Sequence, residues 1–126
     1  MPLLNFYATW IGIFLGFIAG AILGLFFHKK DWMGGYSSWR RRMARLGHIS
    51  FFGIALINLT YSLSISVFNV NITTQYSSYL FVVGAITMPL VCFFSAYKKM
   101  FRHLFFIPVI CLVVGTFLFF TKGLIS

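Results

Sequence analysis

Gly12, Gly16, Gly20 and Gly24 recur at every fourth position inside an uncharged stretch that runs from the N-terminus to residue 27. In a helix of about 3.6 residues per turn, such a row lies along one slowly drifting face. Helices in lipid gain little by hiding apolar surface, because acyl chains are equally apolar. Close backbone approach over small residues is what lets them pack. The row, a glycine zipper, therefore constrains the chain twice. The segment is expected to span a membrane, and one of its faces is a groove for another helix. No reaction follows from it.

The remaining sequence has the same character. The 126 residues are 60% hydrophobic and only 9% charged, whereas a soluble domain carries about 25% charged residues. A spanning helix needs about 20 apolar residues, so a chain of this length holds four spans with short connections and no soluble catalytic domain. Hydropathy predicts those spans over residues 3–27, 46–67, 78–97 and 104–121. Each is too long for a strand, and none alternates as a β-barrel strand does. The expected fold is all-α, a single transmembrane domain forming an integral membrane four-helix bundle.

Charge orients this bundle. Lys29, Lys30, Arg40, Arg41, Arg42 and Arg45 lie between or flank the first two spans, and Lys98, Lys99 and Arg102 lie between the last two. The connection over residues 68–77 carries no charge. Short loops rich in Lys and Arg stay in the cytoplasm, so both termini are expected on the non-cytoplasmic side, in a bacterial inner membrane. Lys122 alone argues the other way. Residues 1–5 lack the basic region of a signal peptide, and the first span reads as a retained helix. The net charge of +9 sits at membrane edges, where orientation and anionic headgroups account for it. Nucleic acid is not an expected partner, since that needs an extended basic face. Tyr7, Trp10, Trp32, Trp39, Tyr76, Tyr79 and Tyr97 fall near the predicted span ends, as interfacial belts do.

Asp31 is the one acidic residue, and it reads as a local partner for Lys29, Lys30 or an arginine. With no second carboxylate, acid–base catalysis of the usual paired kind has no basis, and no enzymatic activity is expected. Proton-coupled transporters use a carboxylate or histidine within the membrane; a small four-helix multidrug transporter would carry an embedded glutamate, and no span here does. Cys92 and Cys111 form no CxxC motif and read as small packing residues at similar depth, not as a disulfide.

The second span holds the richest polar pattern. His48, Ala55 and Ser62 are seven residues apart, as are Phe52, Leu59 and Ser66. These series predict the seam of a left-handed helix pair. Asn58 lies near the seam's edge at the middle of the span, where an unpartnered amide is costly. An interhelical hydrogen bond accounts for it; a translocation path lined by Asn58 and the serines is the sharper alternative. Ser62, Ser64 and Ser66 can bond to their own helix carbonyls.

His28, His48 and His103 all fall near the basic edge, and His48 lies about 4.5 Å deeper than Arg45. Imidazoles at one depth suit a haem, a pigment or a metal ion, and Gly47 and Gly53 would leave room beside His48 for a macrocycle. The simpler reading places His28 and His103 in the polar boundary and His48 in a seam hydrogen bond. Pro89 and Pro108 read as residues that shape their helices. Asn71-Ile72-Thr73 matches a glycosylation acceptor set tightly between two spans.

The leading expectation is a non-catalytic structural or accessory subunit of a membrane assembly, in electron transfer or transport, without a cofactor. Its partners are the lipid bilayer and other transmembrane helices, including those of a second copy. One alternative is a redox or pigment-binding protein holding haem b through His48, with His28 or His103 as second ligand. Another is a small channel or transporter using Asn58 and the serine-lined seam.

Overall fold

A computed structural model describes residues 2–26, 28–35, 37–68 and 76–121. Phe27, Lys122 and the Asn71-Ile72-Thr73 acceptor lie outside the described residues. The described chain is helical: α1 (Pro2–Phe26), α2 (Trp39–Phe68), α3 (Tyr76–Tyr97) and α4 (Phe106–Phe119). Short 3-10 turns at Trp32–Gly34 and Lys99–Phe105 precede α2 and α4. With its preceding turn counted into the last span, the structure has four helices long and apolar enough to cross a membrane.

Two boundaries differ from the hydropathy reading. α2 begins at Trp39, not residue 46, and so takes in the arginine run. The physical reason is a cap: the Ser38 hydroxyl accepts the Arg41 backbone N–H at 3.2 Å, which satisfies a donor that a helix start otherwise leaves open. Hydropathy senses the membrane and not the helix, so it misses two basic turns that lie beyond the apolar stretch. At the last span, the first turn is 3-10 and α4 proper starts at Phe106. Pro108 then sits in the first turn of α4, where a missing N–H leaves no intrahelical bond unmade. The Gly34-Gly35 pair adopts the left-handed backbone that a tight turn requires, with φ of 86° and 100°.

Successive helices run antiparallel. Gly12 of α1 faces Ala55 of α2, Gly16 faces Phe52, and Gly20 faces His48. Gly47 of α2 faces Cys92 and Phe93 of α3, while Gly84 of α3 faces Leu112 of α4. α2 and α3 form the inside of the bundle: 33% and 39% of their apolar windows are buried, against 17% for the first span and 11% for the last. α1 packs mainly on α2 and touches α3, whereas α4 packs on α3.

The glycine row is shorter than its spacing suggests. A Cβ at Gly16 or Gly20 would lie 2.7 Å from the Phe52 ring or 2.6 Å from His48 Nε2, but one at Gly24 would meet open space. A four-residue step turns about 40° beyond a full circle. Three steps from Gly12 therefore rotate Gly24 about 120° away from the α2 face. Gly24 is corrected from a packing residue to an exposed one.

Candidate functional site

The row continues in the opposite direction with polar residues. Asn5, Thr9, Gly12 and Gly16 are spaced by four, three and four, which holds them on one face of α1. On α2, Ala55, Asn58 and Ser62 are likewise spaced by three and four, and Ser78 and Phe81 share a face of α3. These faces meet near the start of α1, and Asn5, Asn58 and Ser78 are wholly buried there.

Their hydrogen bonds close on one another. Asn5 Nδ2 donates to Asn58 Oδ1 at 2.7 Å and to the Ser78 carbonyl at 3.3 Å. The Ser78 hydroxyl donates to Asn5 Oδ1 at 2.5 Å. Asn58 Nδ2 donates to the Ile54 carbonyl of its own helix at 3.0 Å and to the Phe81 carbonyl of α3 at 3.4 Å. Each amide thus uses both its donor hydrogens and its oxygen. One turn deeper, the Thr9 hydroxyl lies 2.9 Å from the Asn5 carbonyl and 3.1 Å from the Ala55 carbonyl of α2. An amide moved from water to hydrocarbon without partners costs about 4–8 kcal/mol, so full pairing is what allows this cluster inside an apolar bundle. The Ser77 hydroxyl extends the bracing to α4 by donating to the buried Gly115 carbonyl at 3.0 Å.

Chemically, the cluster is inert. The Ser78 proton is directed at a neutral amide oxygen, which is no general base, so the hydroxyl is not an activated nucleophile. Among the described residues, no group of three or more His, Cys, Asp or Glu side chains could hold a metal ion.

The opposite end is organised around Trp39 and Arg41. Trp39 Nε1 donates to the Ser95 carbonyl at 2.8 Å, joining the start of α2 to the end of α3. Lys99 Nζ lies 5.2 Å and the Arg42 guanidinium 6.0 Å from the Trp39 ring. Arg41 is only 2% exposed. Its Nε donates to the Trp32 carbonyl at 2.7 Å, another guanidinium nitrogen donates to the Lys29 carbonyl, and the group lies over the Trp32 ring. Trp32 in turn stacks on Phe26 at 5.3 Å, which folds the α1–α2 connection back onto the bundle.

The residues singled out from sequence are distributed across both ends. Ala55 and Ser62 are buried, whereas Ser66 is exposed. Asn58 is at the centre of the network and not at a seam's edge. His48 is half-buried, with Nε2 directed at Gly20 and its ring edge-on to Phe52 at 5.4 Å. His28 and His103 are exposed. The space at Gly47, expected to admit a macrocycle, is filled by Cys92 and Phe93, while Gly53 faces outward. Cys92 and Cys111 are both free thiols.

Sequence reasoning missed Asn5, Thr9, Ser77 and Ser78. The signal was present: the small-residue row of α1 extends through Thr9 to Asn5 with the same three-and-four spacing, and polar residues on a packing face in lipid require partners on the facing helix. No known protein family, characterised relative or solved structure matches the chain.

Proposed function

We propose that the protein is a non-catalytic structural subunit that packs against other transmembrane helices in a membrane assembly, with both termini on the non-cytoplasmic side of a bacterial inner membrane. One observation carries this reading: the amides of Asn5 and Asn58 are fully occupied by Ser78, by main-chain carbonyls and by each other. The group that a translocation path would present to a solute is already bonded. What remains outward is docking surface. On α4, Phe106, Ile110, Val113, Phe117 and Phe120 form a stripe at spacings of four and three, all exposed. Such a stripe matches a helix seam.

Mild solubilisation of native membranes followed by native electrophoresis tests the proposal. A discrete complex heavier than the chain is expected, and a photoreactive residue replacing Val113 should cross-link within it. Migration as a lone chain under every mild detergent would overturn the reading. For the orientation, cysteines are placed singly in a background lacking Cys92 and Cys111. Pro2→Cys should react with an impermeant thiol reagent in intact cells and Ser37→Cys should not; the reverse would invert the topology.

A further inference from the structure

A groove runs along α1 between this helix and α3. It passes from Leu4 through Leu15 to Leu23 on α1, with Ile86 and Phe93 of α3 opposite and Phe51 of α2 as its floor. It has two compartments, of about 370 Å³ toward the start of α1 and about 270 Å³ toward the basic end, and Leu15, Phe51 and Phe93 line both. The Phe51 and Phe93 rings, 6.1 Å apart, lie where the two compartments meet.

The basic-end compartment is lined by hydrocarbon side chains alone, so it offers its occupant no hydrogen bond. Selection there has to come from the occupant's polar end. Beyond the compartment, α1 is followed by His28, Lys29 and Lys30, and α3 by Lys98 and Lys99, all exposed. Both walls therefore end in cations, and the whole chain contains one acidic residue. From Leu15 to the end of α1 is about 16 Å of helix, close to one leaflet of a hydrocarbon core about 30 Å thick. A partner helix suits the compartment less well, since a helix about 10 Å across is too broad for a recess of about 270 Å³.

We propose that the basic-end compartment holds one acyl chain of an anionic phospholipid, its methyl end against Leu15 and Phe51 and its phosphate among Lys29, Lys30, Lys98 and Lys99. Hydrocarbon contact retains the chain, and the lysines select the headgroup.

Native mass spectrometry of the purified protein tests this, using equimolar phosphatidylglycerol and phosphatidylcholine with identical chains. One phosphatidylglycerol should be retained per chain after phosphatidylcholine is lost. The double variant Lys98→Gln/Lys99→Gln should lower that retention about 25-fold, at roughly fivefold per lysine. Ala19→Phe, which fills the compartment, should abolish it, while Val67→Phe on the exposed face of α2 should not. Equal retention of the two lipids would overturn the proposal, as would retention in Ala19→Phe matching the wild type. Both lysine side chains are exposed, so that variant keeps the test decisive if Ala19→Phe lowers folded yield.

Discussion

The two ends of the bundle are tied by different kinds of bond. Where α1 begins, side chain also meets side chain, beside the bonds to main-chain carbonyls: Asn5 needs Asn58 and Ser78, and each requires the others' identity. At the basic end, side chain meets main chain: Trp39 and Arg41 donate to the carbonyls of Ser95, Trp32 and Lys29. A carbonyl is present whatever residue carries it. Substitution is therefore costly for either partner at the first end, but only for the donor at the second.

The largest expected effect is at Asn58. Asn58→Ala leaves the Asn5 amide buried and short of a partner, a penalty of about 2–3 kcal/mol at the upper end of the usual range. Reversible unfolding in mixed micelles measures it. Asn5→Ala combined with Asn58→Ala should cost clearly less than the sum of the single variants, because the two amides act as one unit. Additive losses would break the picture of a closed network.

A smaller effect separates the ends along α1. Gly16→Leu forces the Phe52 ring away and should destabilise by about 1–3 kcal/mol, as overpacking does. Gly24→Leu enters open space and should stay within about 0.5 kcal/mol of wild type. Equal losses would mean that α1 and α2 remain closely packed to the basic end.

At that end, Trp39→Phe keeps an aromatic ring but removes the donor and part of the indole, with an expected loss of about 1–2 kcal/mol. The smallest change should come from the acceptor residue itself. Among the described residues, the buried Ser95 hydroxyl has no hydrogen-bond partner. Ser95→Ala preserves the carbonyl that Trp39 uses and deletes an unsatisfied group, so stability should be unchanged or slightly higher in the same assay. A loss near that of Trp39→Phe would show that the side chain matters there and would erase the contrast.

Sequence alone conveyed the architecture because its signals are one-dimensional. Apolar length and the absence of alternation mark four helices, and the α1 row identifies the face that meets α2 from Gly12 to Gly20. The network was only half legible. Asn58 stands out as an amide inside a span, but Asn5 sits so near the chain start that it reads as a polar end, and only the fold shows that Ser78 reaches it. The start of α2 was hidden for another reason. Its cap at Ser38 and its arginine turns are helical without being apolar, so a hydropathy boundary passes over them. The Trp39–Ser95 bond has no sequence signal on its acceptor side, because every residue offers a carbonyl.

The 73-residue separation between Asn5 and Ser78 also imposes an order in time. Chains emerge from the N-terminus, so α1 and then α2 are made while one of Asn5's partners does not yet exist. The hairpin of these two helices holds through its glycine contacts, with the Asn5 amide incompletely paired until the first turn of α3 is synthesised. Arrival of Ser78 completes the three-helix core, and the Ser77–Gly115 bond to α4 forms last. Between the synthesis of α2 and that of α3 the Asn5 amide thus lacks one of its partners, and α4 joins a core that is already closed.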